Sequence, residues 1–485
     1  MSLGERVTKS VSWLAVAQIA RRAVTLVTTA ILARLLLPED FGLVNMAMIA
    51  VGFLSVINDV GLTSALIQRL EVDDEQLTAA FWLACGASLV ATAAGALVAW
   101  PFGLANHEAR VVPLVMVLLA ILPVGALGVV ADALLQRELD FKRIALVELS
   151  ASLVAALLGV VLALAGAGVW SLVAQYLAVA VVTTGGKLIA VGWVPRGKFS
   201  ARAARSLFGF SASVVGGGLV NYATRNADNM LIGGVLGVKA LGYYSMAYTL
   251  VILPGQTVGG LVNRVAFPAL SRLQAEPARL RHAYLRLLRV LSAISLPLTV
   301  GLCASAPLFV RAVYGPAWLP AVPLVQILVA VGVNEALNTS GVLYYSMGRP
   351  FLLVAWATAS LVCMIVSFVI GVHWGMPGVA WSYTAVVPIV FALPHLVSLG
   401  LIDLRARSLV AAWLPALVAA TVMGLAVALP IHRGVLPFVA AWANLALYVA
   451  FGALVYGVTL YLIVTVLTGR RWGWLAWINR PTEAL

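Results

Sequence analysis

The stretch "LLLPEDFGLVNMAM" (35–48) has a counterpart 200 positions further along the chain, "VLGVKALGYYSMAY" (235–248). In this alignment Gly42 falls on Gly242, and a Met-Ala pair follows four residues later in both copies. Each copy also lies at the junction of two long apolar segments. The repeat therefore predicts a chain built from two related halves that carry helices in the same order.

The amino-acid composition is that of a protein embedded in a lipid bilayer. Hydrophobic residues make up 62% and charged residues only 10% of the 485 residues, and the mean hydropathy is +1.03. A helix needs about 20 mainly apolar residues to cross the hydrocarbon region. Such segments recur along the sequence, with no polar stretch long enough for a separate soluble domain. We therefore predict an all-α polytopic membrane protein.

Turn residues and charges divide the apolar sequence into 14 predicted transmembrane helices. The predicted ranges are 8–37, 41–68, 77–100, 111–135, 145–165, 168–192, 206–236, 240–267, 285–313, 318–347, 350–372, 376–400, 409–430 and 436–467. The first segment is too long for a signal-peptide core and carries two arginines at its centre. We therefore expect it to be retained as a helix.

The repeat groups the first twelve predicted helices into two sets of six. Because six is even, both sets begin on the same side of the membrane, which predicts parallel repeats related by a pseudo-twofold axis along the membrane normal. We predict an N-terminal six-helix lobe at 1–200 and a C-terminal six-helix lobe at 201–400, with a central cavity between them. Two additional helices and a cytoplasmic tail occupy 401–485.

The distribution of basic residues predicts the orientation. Of the 31 Lys and Arg residues, 21 are assigned to the same side as the N-terminus, and Arg289 is one of them. Only Arg110, Lys239, Arg311 and Arg433 fall in loops on the other side. Since basic loops stay in the cytoplasm, both termini are predicted to be cytoplasmic. The same bias explains most of the net charge of +13, and no nucleic-acid module is visible in the basic loops, so we predict no nucleic-acid partner.

A polar stripe interrupts the seventh predicted helix. Asn221, Arg225, Asp228 and Asn229 are spaced i, i+4, i+7 and i+8, which places them on one face. Charges at bilayer depth usually face a bundle interior or a water-filled cavity. The stripe therefore predicts a cavity lining, although Arg225 and Asp228 could instead neutralise each other as a structural ion pair.

The first predicted helix carries a second stripe, which includes Gln18, Arg21 and Arg22. Its arginines have no acidic neighbour on their own helix, and Asp59 of the second helix could reach them only by tertiary packing. Two interpretations stay open, an anionic ligand and an ion pair between helices. In the first, Arg21 and Arg22 bind the anionic ligand.

Further polar residues within predicted helices are candidates for contacts with a sugar or for ordinary hydrogen bonds between helices. These residues are Gln256, Asn263, Arg264, Asn334 and Asn338. Asp228, Glu335 and Asp59 are candidates for coupling to H⁺ or Na⁺, because protonation or a bound ion would change their charge. No metal site and no other cofactor is predicted, since Cys85, Cys303 and Cys363 all lie inside apolar segments without ligand spacing.

Two short motifs have simpler interpretations. "PED" (38–40) could be a catalytic carboxylate pair, but its place just before the second helix favours a helix cap. "VVGGG" (214–218) could mark a bend in the seventh helix or a close contact with a neighbouring helix.

Several stretches together resemble the polysaccharide-transporter branch of the multidrug/oligosaccharidyl-lipid/polysaccharide (MOP) flippase superfamily, more narrowly its Wzx-type exporters. They include "ARLLLPEDFGLVNMAM", "DVGLTSALIQR", "LLQRELDFKRIALVE", "RNADNMLIGGVLGVKALGYYSMAYTLV", "FPALSRLQ" and "YGPAWLPAVPLVQIL", and the resemblance covers roughly residues 5–400.

The resemblance implies the MOP flippase fold and transport of an undecaprenyl-pyrophosphate-linked oligosaccharide from the inner to the outer leaflet of a bacterial plasma membrane. It further implies alternating access of two lobes, with membrane lipids, a polysaccharide polymerase and a chain-length regulator as partners. Two alternatives stay open. A drug or metabolite exporter of the same superfamily would favour an acidic cavity, and an integral-membrane glycosyltransferase or glycan polymerase would need larger outer loops.

Overall fold

The computed structural model describes residues 3–58, 62–69, 72–196, 200–349, 351–433, 441–468 and 477. Within these ranges the chain forms α-helices joined by short turns and contains no strand. This agrees with the predicted all-α class.

Ten helices belong to the N-terminal part of the chain: α1 (Leu3–Leu35), α2 (Pro38–Asn58), α3 (Leu62–Gln68), α4 (Asp74–Ala105), α5 (Val111–Leu118), α6 (Ile121–Leu127), α7 (Val129–Arg137), α8 (Phe141–Leu164), α9 (Val169–Val191) and α10 (Ala201–Leu236).

The C-terminal part contains α11 (Val238–Arg272), α12 (Pro277–Ala304), α13 (Ala306–Val313), α14 (Val322–Ile327), α15 (Val329–Leu337), α16 (Ser340–Ser346), α17 (Phe351–Gly371), α18 (Gly375–Leu401), α19 (Ala406–His432) and α20 (Ala441–Thr468). Two short 3₁₀ helices lie at Pro316–Ala321 and Val372–Trp374.

The apolar helices confirm a multi-pass membrane protein. Nine helical stretches in the described residues are long and apolar enough to cross a membrane, and the number rises to eleven if two bent pairs each form one span. The fourth predicted helix is one such pair, bent by 45° between Leu127 and Val129. The tenth is the other, bent by 56° between Ile327 and Val329. The number 14 stays a prediction.

Packing divides the chain into two compact units, Met1–Gly242 (unit 1) and Tyr243–Leu485 (unit 2). In unit 1, α8 packs along α9 and α1, while α10 packs on α2 and α4. A core of small and branched side chains joins α3, α4, α6 and α7. The division of the sequence into repeats at residue 200 stays a prediction.

In unit 2, α12 is the central helix and packs along α19 and α15. Its N-terminal end joins the ends of α11, α16, α18 and α19 in one apolar cluster around Tyr284 and Leu285. Arg289, which the distribution of basic residues predicts on the cytoplasmic side, is 1% exposed within this unit. Its charge is therefore buried among helices rather than presented to the cytoplasm.

The start of α2 confirms the helix cap predicted for "PED". The carboxylate of Asp40 accepts the backbone N–H of Leu37 at 2.9 Å, and Glu39 and Asp40 both lie in the first turn of α2. Acceptors and negative charge at this end satisfy free amides and suit the helix dipole. Glu39 also forms an ion pair with Arg110 at 2.5 Å.

The glycines of "VVGGG" allow a close contact between helices, and a bend at this segment stays a prediction. The helix α10 continues without interruption through this segment. A Cβ on Gly218 would stand 2.9 Å from the side chain of Val56, so the absent side chain lets α10 approach α2.

Candidate functional site

The helix α10 presents two of its predicted site residues at the surface of unit 1. Asn221 and Arg225 are exposed, whereas Asp228 is 2% exposed and Asn229 is half-buried. The carboxylate of Asp228 accepts the backbone N–H of Asn229 at 2.8 Å. Arg225 and Asp228 form no ion pair, although the structure describes both. The predicted stripe therefore separates into an exposed cationic part and a buried acidic part.

Tyr222 fixes the rotation of α10 that produces this separation. Its hydroxyl donates to the backbone carbonyls of Met48 and Ile49 in α2, at 3.2 and 3.0 Å. Its ring packs edge-on against Phe53 and lies over Gly52, where a Cβ would stand 2.3 Å from the hydroxyl oxygen. Because Tyr222 faces α2, Arg225 is left on an uncovered face.

The helix α1 carries the second group of predicted residues. Arg22 is exposed, and Gln18 and Arg21 are half-buried. A nitrogen (NH1) of the Arg21 guanidinium lies 3.2 Å from a carboxylate oxygen (Oε2) of Glu148 in α8. Arg22 makes no ion pair with any residue that the structure describes. Of the two neighbouring arginines, Arg21 is thus paired with Glu148, and Arg22 has no ion-pair partner among the described residues.

The three arginines lie far from the helix ends that are predicted to face the outer side. At 1.5 Å per residue, Arg21 and Arg22 are about 20 Å from the end of α1 at Leu35, and Arg225 is about 16 Å from the end of α10 at Leu236. The hydrocarbon core is about 30 Å thick. At this predicted depth an exposed guanidinium is expected to face water, because contact with lipid would leave its charge unsolvated.

Unit 1 also contains a polar network that the sequence analysis missed. The ammonium of Lys187 in α9 pairs with Asp132 in α7 at 2.6 Å, with side-chain exposures of 14% and 25%. The amide of Gln136 donates to the other oxygen of Asp132 at 2.9 Å. The i, i+4 spacing of Asp132 and Gln136 is visible in the sequence. The pairing of Asp132 with Lys187 is not, because it depends on how α7 packs against α9.

Arg137 has a structural role at the end of α3. Its guanidinium donates to the backbone carbonyls of Leu66 and Arg69 at 2.6 and 2.5 Å. Carbonyls at a helix C-terminus lack partners within the helix and carry partial negative charge. Arg137 therefore caps α3.

Unit 2 holds the predicted amide residues of the tenth span. Asn334 and Glu335 lie half-buried on α15, and Asn338 lies in the break that separates α15 from α16. The side-chain oxygen of Asn338 accepts the hydroxyl of Ser340 at 3.0 Å. This local bond supports the interpretation of Asn338 as a structural residue at a helix break.

A cavity of about 910 Å³ runs through unit 2, between α12, α14, α15, α18 and α19. Most of its lining is apolar, including Val300, Ala330 and Trp413, and Asn334 and Gln326 supply amide groups. The lining extends along α19 from Ala406 to Ala428. Such a cavity suits a long apolar group that carries a few hydrogen-bonding atoms.

The structure describes only part of the remaining predicted residues. Gln256 is half-buried on α11. Asp59 and the side chains of Asn263 and Arg264 lie outside the described residues. No group of three or more His, Cys, Asp or Glu side chains that could hold a metal ion occurs in the described part.

The sequence matches the family model described as polysaccharide biosynthesis protein over residues 31–323. Similar proteins include the lipopolysaccharide biosynthesis protein WzxC of Escherichia coli (strain K12), which is 27% identical over 72% of each chain. The succinoglycan biosynthesis transport protein ExoT of Rhizobium meliloti (strain 1021) is 29% identical over 72% of this chain and 71% of its own. The teichuronic acid biosynthesis protein TuaB of Bacillus subtilis (strain 168) is 27% identical over 79% and 80%.

Two solved structures share the fold. The lipid II flippase MurJ in an inward closed conformation superposes with a TM-score of 0.72 at 13% identity, over 94% of this chain and 99% of its own. An inward-facing multidrug resistance MATE family transporter of the MOP superfamily superposes with a TM-score of 0.60 at 16% identity, over 81% and 100%. With this fold, and with a family match over more than half of its length, the chain belongs to the polysaccharide biosynthesis protein family.

Proposed function

We propose that this protein is a flippase that moves an undecaprenyl-pyrophosphate-linked oligosaccharide from the inner to the outer leaflet of a bacterial plasma membrane. The observation that carries the proposal is the exposure of Arg22 and Arg225 at membrane depth, without an ion-pair partner among the described residues. The chain acts as a transporter for polysaccharide biosynthesis and not as an enzyme.

The chemistry of the arginines favours a pyrophosphate headgroup. A guanidinium presents several N–H donors in one plane and binds phosphate oxygens through two parallel hydrogen bonds. Two exposed arginines and the half-buried Arg21 match an anion with two adjacent phosphate groups. The glycan needs hydrogen bonds from neutral groups, which Gln18 and Asn221 supply on the same two helices.

The related proteins support transport over other functions. ExoT is named a transport protein for succinoglycan biosynthesis, and the superposable MurJ is named a lipid II flippase. A cationic drug would be repelled by Arg22 and Arg225, which argues against a drug exporter. A glycosyltransferase or polymerase would need catalytic groups in outer loops, whereas the loop between α4 and α5 spans only residues 106–110.

The transport cycle that we propose is alternating access, with both termini in the cytoplasm. Asp228 and Glu335 are the carboxylates proposed to couple the cycle to H⁺ or Na⁺. The burial of Asp228 supports this role. A charged carboxylate that is 2% exposed is costly to bury, so a bound proton or cation changes its free energy strongly. A polymerase and a chain-length regulator are the proposed partners on the outer side.

The experiment is a complementation assay in a strain that makes polysaccharide only when this transporter is supplied. We expect Arg225→Ala and the double variant Arg21→Ala/Arg22→Ala to insert normally but to stop surface polysaccharide. Lipid-linked repeat units should then accumulate in the inner leaflet. Arg433→Ala, which removes an exposed arginine after α19, is the matched control and should give normal output.

Arg225→Lys tests the geometry of the phosphate contact. Lysine keeps the charge but cannot make two parallel hydrogen bonds, so we expect partial output. Normal polysaccharide from both alanine variants would overturn the proposal.

A further inference from the structure

Glu148 lies where an anionic ligand of Arg21 would have to bind. Its carboxylate makes one contact with the guanidinium, 3.2 Å long, between NH1 of Arg21 and Oε2 of Glu148. The side chains are 38% and 29% exposed. The pair is therefore open to solvent on one side, and a single contact leaves most donors of the guanidinium unused.

We infer that Glu148 is an internal competitor for the phosphate site. In the unloaded protein its carboxylate occupies Arg21, and in the loaded protein a phosphate group of the substrate takes its place. The inference rests on the proposed function, because it assigns Glu148 a role in selecting the ligand of that same site. Glu148 is thus a specificity-determining residue that the bound substrate displaces.

The energetics allow the exchange. A partly exposed ion pair with one contact is weak, because water screens it and both side chains lose freedom when they pair. A phosphate that binds a guanidinium through two charge-assisted hydrogen bonds forms a stronger contact. A substrate phosphate can therefore displace Glu148, and the glycan adds further contacts that a small anion lacks.

The described residues of α7 and α9 give Glu148 no alternative cation as a partner. The helix α8 packs against α1, α9 and α7. The charged residues on α9 and α7 are already engaged, since Lys187 pairs with Asp132 and Arg137 caps α3. Arg21 is accordingly the cation that holds Glu148, and Arg22 beside it stays available to the incoming anion.

The consequence is selection against small anions. Without an internal competitor, inorganic phosphate or a nucleotide could neutralise the arginines and hold the protein in a loaded state. With Glu148 present, an anion needs further contacts, beyond its charge, to displace the carboxylate. Glu148 thus makes the site specific by weakening the binding of the wrong ligands. Removal of the carboxylate should therefore tighten binding of a minimal anion.

The test measures binding of inorganic pyrophosphate to the purified full-length protein in nanodiscs, by isothermal titration calorimetry at fixed ionic strength. We expect Glu148→Gln to bind pyrophosphate about two- to fivefold more tightly than the unsubstituted protein, as loss of a weak competing ion pair predicts. Glu138→Gln removes one negative charge from an exposed position after α7 and should leave the affinity unchanged.

A double-mutant cycle separates competition from a general change in charge. In the Arg21→Ala background, we expect Glu148→Gln to have no effect on the affinity for pyrophosphate. An equal affinity of Glu148→Gln and the unsubstituted protein would overturn the inference while leaving the phosphate site in place. An equal gain with and without Arg21 would also overturn it. If neither Glu148→Gln nor the unsubstituted protein binds pyrophosphate, the proposed phosphate site is wrong, and the inference is wrong with it.

Discussion

Gly42 and Gly242, which correspond in the internal repeat, make reciprocal contacts. Gly42 packs against Val238, and Gly242 packs against Pro38. A Cβ on Gly42 would stand 1.7 Å from the carbonyl oxygen of Val238, and a Cβ on Gly242 would stand 1.9 Å from the carbonyl oxygen of Pro38. Pro38 and Val238 are also related by 200 positions. Exchange of equivalent contacts is the pattern expected around a twofold axis.

This contact predicts that the two glycines tolerate no side chain. A methyl group at either position would overlap a backbone carbonyl, which cannot rotate away, so the helices must separate. We expect Gly42→Ala and Gly242→Ala each to destabilise the protein by about 1–3 kcal/mol, the usual range for overpacking. Thermal unfolding in detergent, followed by intrinsic fluorescence, measures the effect.

Gly86→Ala is the control for helix propensity. Gly86 lies within α4, and no atom stands within 4 Å of the position of an added Cβ. Alanine there should stabilise by about 0.5–1 kcal/mol, because it restricts the unfolded chain. The reciprocal contact would be contradicted if all three variants unfolded at the same temperature.

The sequence predicts most of the helices but not every break between them. Long apolar segments bounded by turn residues predicted helices at almost every position where the structure has them, since hydropathy and helix length are local properties. The break between α15 and α16 was not predicted. Residues 318–347 read as one apolar segment, and Asn338 and Thr339 are too few to lower its mean hydropathy.

The ion pairs of the site, in contrast to the helices, could not be predicted from the sequence. The sequence identified Arg21 and Arg22 as charges at membrane depth, but it offered only Asp59 as a tertiary partner. Glu148 was not considered, because it lies on a helix whose packing against α1 no local pattern reveals. The burial of Arg289 was missed for the same reason.

The pair of Lys187 and Asp132 predicts a difference between single and double variants. Lys187→Met leaves the carboxylate of Asp132 partly buried without its cation, and we expect a loss of about 2 kcal/mol. Lys187→Met/Asp132→Asn removes both charges and keeps an acceptor for Gln136. The double variant should therefore unfold at a higher temperature than the single one. Equal unfolding temperatures would show that the pair does not stabilise unit 1.

The loop between α4 and α5 predicts a dependence of stability on pH. The pKa of the Glu108 carboxyl lies below its usual value, chiefly because the side chain of Arg110 donates a hydrogen bond to it. A lowered folded-state pKa contributes stability at pH values above the usual pKa of Glu, about 4.3. This contribution is lost as the pH falls through the lowered pKa of the folded state.

Glu108→Gln isolates that contribution. We expect the variant to unfold at a lower temperature than the unsubstituted protein at pH 7, with a difference that shrinks as the pH falls below about 4. Glu75→Gln, at an exposed position in the first turn of α4, serves as the comparison for a general change in charge. A constant difference from pH 7 to pH 3 would contradict the role of the carboxylate.

The cavity of unit 2 predicts that transport needs its open volume. Ala330 lines the cavity on α15, and Ala330→Trp would fill part of it with an indole ring. If an apolar part of the substrate enters this space, the variant should export polysaccharide several-fold less while it unfolds at nearly the same temperature. The matched control is Ala446→Trp, because Ala446 lies exposed on α20, where a tryptophan displaces no lining residue. Equal export by both tryptophan variants would exclude the cavity from the transport path, and equal loss would point to a general intolerance of added bulk.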